Sequence, residues 1–340
     1  MRRFVRSLCC SSLLMLSCAL PGARVFAADK WVHANSAHFD MYAAQSESDI
    51  RAALLHLEVV RAYFIGATHS QDPGGQPVRI VVFASASDFG KYRPSEYGDS
   101  PSFSIPGTPA TIVALGLKPD MFEQIFMEYT QLVLDDSASN LPYWYRAGLS
   151  ELYASLKPGD GTVKLGGPPM RSYKHGAISS NLEQVLTSLF LIDRNGIVAS
   201  RGKNAVDFNT DTPSAKLAAA LGNGAATTAL AQVQSSVTED YAGTDWILMH
   251  MLMFQPEYRP KFGEFTGAIG SGTEAGAAIA KVYGRSMRQV SDDLILYWKQ
   301  SGLAVATAKA PGDKPAPATM KAATPAETDA VMASLAKKGK

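Results

Sequence analysis

The stretch "QIFMEYTQLVLDD", Gln124 to Asp136, is the one from which the rest of the chain can be read. In the longer run from Pro119 to Asp135, apolar residues fall on nearly every helical face, the mark of a helix buried all round. One acid, Glu128, stands in its middle. A buried carboxylate is strongly disfavoured unless it is paired, hydrogen-bonded or protonated, so the fold must supply Glu128 with partners. Met127 and Gln131 flank it, and in the plainest reading Glu128 bonds to Tyr129, Gln131 or backbone.

Around this helix the pattern is that of strands and further helices. "HFDMYAA" (residues 38–44) alternates like a strand, and "VRIVVFAS" (78–85) reads as a fully buried one. Between them, Ile50, Leu54, Leu57, Arg61 and Phe64 mark a helical stripe, with Ser46 or Ser48 as its N-cap. Arg61 interrupts the stripe, although its alkyl stem can flank a core. "DPGGQP" is a turn. "SFSI" and "ATIVALGL" form a hairpin across "PGTP", and a second helix follows from Tyr143 to Leu156. Beyond "TVKLGGPP" the spacing turns helical throughout, with Thr273 the expected cap of the "EAGAAIAKVYG" helix. The fold class is therefore α+β: a small mixed sheet carrying helices, residues 28–185, followed by a mainly α-helical region, 186–303.

Both ends differ from this body. "MRRFVRS", "LCCSSLLMLSCAL" and "ARVFA" have the basic, apolar and small-residue order of a secretory signal, with cleavage expected after Ala27. The chain is accordingly expected to be exported, to the periplasm or beyond. A lipoprotein reading through Cys18 finds only a poor lipobox. All three cysteines lie in this segment, so the remaining roughly 310 residues must rely on a packed core rather than disulfides. Removing Arg2, Arg3, Arg6 and Arg24 leaves 28 basic residues against 31 acidic ones, a net charge near −3. That balance disfavours nucleic acid as a partner, and no later apolar run is long enough to span a membrane. From Ala304 to Lys340 an Ala-, Pro- and Lys-rich composition predicts a flexible tail ending in a short helix.

The centre also has the frame of a zinc-peptidase helix. In His-Glu-x-x-His enzymes two histidines four residues apart hold the metal and the glutamate is the general base. Here that frame reads Met127-Glu128-Tyr129-Thr130-Gln131. The second motif, "LPYWYRAGLSELY" (141–153), carries Leu141, Pro142, Trp144, Gly148, Leu149, Glu151 and Tyr153. With "HFDMY", "LE..R..F" and "VRIVVFAS", these residues make the chain from Trp31 to about Leu303 resemble the peptidase MA-like gluzincins, exported bacterial relatives of thermolysin. The resemblance implies an α+β domain with a buried active-site helix and a cleft against the helical half. It also implies that Met127 and Gln131 stand where the family has histidine ligands, and Ala147 where it has the third, a glutamate. Glu128 would be a vestigial base, and Asp135 a carboxylate with no histidine to orient.

A thioether is a soft donor, an amide oxygen a weak one, and a methyl group none. The expected protein is thus a catalytically inactive gluzincin-like module with no cofactor, binding an unknown peptide or protein, for instance by strand addition at a sheet edge. The alternative is a metallopeptidase with substituted zinc ligands and Glu128 as base. Candidate cleft residues are Glu128, Arg146, Glu151, Tyr153, His175 and His250, with Arg146 expected to neutralise Glu128 or Glu151. Each has a plainer reading: solvent for Arg146, and a satisfied core position for His250 in the methionine-rich "MHMLM" helix.

Overall fold

The computed structural model describes residues 31–168, Leu186, 244–300, 302–310, 312 and 315–338. Residues 1–30, which hold the expected secretory signal, His175 and most of the 186–243 region lie outside them. Among the described residues no helix is long and apolar enough to cross a membrane.

Strand β1 (Val32–Asn35) pairs antiparallel with β2 (Phe39–Ala43), and helix α1 (Glu47–Thr68) returns the chain to β3 (Val78–Phe83), parallel to β2. After the short helix α2 (Ala86–Gly90), β4 (Ser102–Ile105) and β5 (Thr111–Leu115) form the antiparallel hairpin expected across Pro106–Pro109, with β5 parallel to β3. The mixed architecture follows from the sequence pattern. In β3, Val78, Ile80 and Val82 enter the main core while Val81 and Phe83 enter a second one on the opposite face. A strand buried on both faces has no polar side to show, which is why "VRIVVF" reads as a continuous apolar run.

The main core lies between this sheet and helices α1, α3 (Pro119–Ser137) and α4 (Tyr143–Ala154). Helix α1 starts at Ser46, whose hydroxyl accepts from the Asp49 amide, one of the two expected caps. Its irregular residue is explained by the turn that follows. Arg61 Nε donates to Asp72 Oδ1 (2.8 Å), and the Tyr129 hydroxyl of α3 donates to the same oxygen (2.7 Å). One aspartate thus joins α1, the turn at 72–75 and α3.

Helices α5 (Thr244–Phe254), α6 (Phe262–Gly270), α7 (Ala275–Tyr283) and α8 (Met287–Trp298) form the helical part. Helix α5 lies against α4 at Gly148, where a Cβ would sit 2.5 Å from the Asp245 carbonyl oxygen, so only glycine permits the approach. Ser286 makes a full capping box with Gln289 at the start of α8. Helix α7 is capped by Glu274, which accepts from the amides of Gly276 and Ala277, and not by Thr273 as expected. The longer carboxylate reaches two orphan amides at once.

The expectation of a flexible tail from residue 304 is corrected. Strands β6 (Lys157–Pro158) and β7 (Thr162–Leu165) form a small sheet, to which residues 306–309 add strand β8. Residues 319–322 form β9, antiparallel to β1, giving the main sheet the order β4-β5-β3-β2-β1-β9. Helix α9 (Pro325–Lys338) then buries Val331 and Leu335 against Tyr42, Val81, Phe83 and Phe103. Composition misleads here because an edge strand joins through its backbone and needs few apolar side chains. A chain ending at Gly302 should lose about 3 kcal/mol or more of unfolding free energy, the burial of two large side chains, and should bind a hydrophobic dye. An unchanged urea midpoint would show the tail to be dispensable.

Candidate functional site

Glu128 is fully buried on α3, beneath the edge strand β4. The Ser102 hydroxyl donates to its Oε1 (3.0 Å) and the Ser104 hydroxyl to its Oε2 (2.8 Å). The two serines lie two residues apart on one face of β4, while Phe103 between them enters the opposite core. Charge-assisted bonds of this kind are what a buried carboxylate needs, and these two come from a strand. The signal in the sequence is the period-two pair of serines in "SFSI", which is legible once the strand is known to face the helix.

The three positions that the family resemblance assigns to metal ligands carry weak donors or none. Met127 and Gln131 are half-buried and Ala147 is buried, and their donors are a thioether, an amide and a methyl group. Among the described residues no three His, Cys, Asp or Glu side chains converge as metal ligands would. Arg146 does not take the place expected for it. Its Nε lies 3.2 Å from Asp135 Oδ1, and its guanidinium donates to the Ser139 carbonyl at 3.5 Å. Asp135, read in sequence as a carboxylate with nothing to orient, is therefore the counter-ion of Arg146 and ties the end of α3 to α4.

Two further candidates, Tyr153 and His250, are buried. Tyr153 is buried and packs edge-on against Phe64, with ring centroids 4.9 Å apart. Burial pushes its hydroxyl well above the usual tyrosine range. His250 is fully buried, stacked on Phe254 at 4.4 Å. Its Nε2 lies 2.9 Å from the Gly166 carbonyl and its Nδ1 2.7 Å from the Tyr297 hydroxyl. A carbonyl only accepts, so Nε2 carries the proton and Nδ1 accepts from Tyr297. Both ring nitrogens are used, and burial holds the imidazole below its ordinary pKa. Glu151 is half-buried on α4. His33 and His38 bond to Asp40 and Glu58, both at 2.7 Å.

The edge beside Glu128 is partly covered by the loop before it. The Leu115 amide donates to the Pro101 carbonyl, so odd-numbered residues of the hairpin face β5 and the carbonyls of Ser102 and Ser104 point outward. Both are already taken. The Ser100 hydroxyl donates to the Ser102 carbonyl (2.7 Å) and the Tyr97 hydroxyl to that of Ser104 (3.0 Å). The loop before the strand blunts its edge with side chains, a common protection against unwanted pairing.

No family model matches the chain, and no curated protein is similar to it.

Two outcomes follow from this geometry. Removing both donors in S102A/S104A should cost about 1–3 kcal/mol per hydroxyl, because the carboxylate stays buried. Adding E128M should recover most of the loss, since an apolar side chain needs no donor there. Equal destabilisation of the double and triple variants in urea unfolding would refute the pairing. The second outcome concerns His56, beside Phe122, which burial pushes down to about 4. Below pH 6.5 the unfolded chain takes up protons at His56 and His250 that the folded chain refuses. Stability present at neutral pH is therefore lost as pH falls from 6.5 towards 4, by about 2 kcal/mol for His56 between pH 7 and 5. His56→Phe should flatten that slope, and an unaltered slope in unfolding curves at the two pH values would argue against it.

Proposed function

We propose that the chain is an exported gluzincin-like protein working without a catalytic metal, a binding or scaffold module for a protein or peptide partner. The observation that carries this reading is the state of Glu128. A general base must reach the water it activates. Glu128 is fully buried and both of its oxygens accept from serine hydroxyls of β4, so the carboxylate is engaged within the fold rather than turned to solvent.

The surrounding substitutions support the same conclusion on chemical grounds. Catalytic zinc requires three protein donors and an open position. Met127, Gln131 and Ala147 supply one soft donor, one weak donor and none. Nor does His250 add a ligand, since its ring nitrogens are committed to Gly166 and Tyr297. What persists is the scaffold: the α3–α4 pair, the Gly148 contact to α5 and the sheet above them.

The test is incubation with a mixed-sequence peptide library read by mass spectrometry, with and without chelator, beside the Glu128→Gln variant. No cleavage above background in any arm is the expected result. Cleavage abolished by both chelator and Glu128→Gln would establish the metallopeptidase instead.

A further inference from the structure

On the sheet face opposite α3, a groove of about 780 Å³ opens between β1, α2 and the start of α9. Aromatic rings form part of its wall. Trp31 stands edge-on to Phe83, with centroids 5.5 Å apart, and Phe83 stacks on Tyr92 at 5.3 Å. Trp31 and Tyr92 are half-buried, so each keeps ring surface open to the groove.

The charges lining it are unbalanced. Three carboxylates, Glu47, Asp88 and Asp329, stand against one ammonium, Lys91. Lys91 Nζ lies 2.6 Å from Asp88 Oδ1, and that pair cancels. Glu47 and Asp329 are exposed and form no ion pair among the described residues, which leaves the groove with two negative charges. Aromatic faces attract cations through their quadrupole, and carboxylates attract them by charge. An anionic or wholly apolar occupant would cover these carboxylates without pairing them, at a cost.

We propose that this groove binds a basic segment of a partner protein or peptide. It would seat a lysine or arginine side chain between the rings of Trp31 and Tyr92 and the carboxylates of Glu47 and Asp329. The volume exceeds what a lone ammonium group fills and leaves room for chain on either side of the seated residue. Helix α9 supplies Asp329 and Met332 to the wall, so the ordered C-terminal segment is part of the site. This inference rests on the reading of the chain as a binding module, and supplies the chemistry of its partner.

Titration calorimetry with tetralysine, at low and moderate salt, tests it on the purified protein. Tetralysine should bind, more weakly as salt rises, while tetraglutamate should not. E47Q/D329N should weaken binding about tenfold and W31L severalfold, with unchanged circular dichroism. K91Q, which frees the Asp88 carboxylate, should tighten it. Absence of binding, or binding indifferent to E47Q/D329N and W31L, would overturn the proposal. Tetramethylammonium binding as tightly as tetralysine would also overturn it, in favour of a small organic cation. Cleavage of tetralysine that Glu128→Gln abolishes would sink the non-catalytic reading alone and leave the groove intact.

Discussion

A carboxylate held under two serine hydroxyls is the constraint around which this fold is arranged. Glu128 is buried in the middle of α3, where an unpaired charge would be prohibitive, and Ser102 and Ser104 answer it from β4. That bond pair fixes which face of β4 meets the helix. It thereby sends Phe103 to the other side of the sheet, into the second core. The same helix is pinned by Tyr129 to Asp72 and by Asp135 to Arg146. Glu128, Tyr129 and Asp135 of α3 thus hold the helix in place.

The second core depends on the far end of the chain. Helix α9 adds to the cover that α2 and the loop after it give the strand face carrying Tyr42, Val81, Phe83 and Val113. Val331 and Leu335, one helical turn apart, supply the cover, and β9 pairs with β1 to position them. Lys321 and the Thr324 amide both bond to Glu327, which fixes the turn between β9 and α9. The cover is incomplete, and the groove with its aromatic wall and acidic rim is what remains beside it.

Much of this was legible in the sequence, and the failures share a cause. Long periodic segments were readable because their patterns are physical necessities: the two-sided run in β3, the stripe of α1 and the apolar cylinder of α3. The capping box at Ser286 needs only local chemistry and belongs with these readable patterns. What could not be read were partners brought together by topology. Arg61 interrupts its helical stripe because Asp72, from the turn that follows, pairs with it, and Arg146 meets Asp135 only through the α3–α4 crossing. Ser102 and Ser104 were read as strand residues and nothing more. The tail misled because its composition reports how little side chain it buries, while its order comes from backbone pairing with β1 and β7.

The proposed reading is that Glu128 serves the fold through its hydrogen bonds to Ser102 and Ser104 and holds no metal. Zinc stoichiometry tests this most directly: the purified protein is exposed to zinc, dialysed extensively and assayed by inductively coupled plasma mass spectrometry. The account predicts a zinc content close to zero per chain, the same for wild type and Glu128→Gln. One zinc retained per chain, and lost on Glu128→Gln, would contradict it.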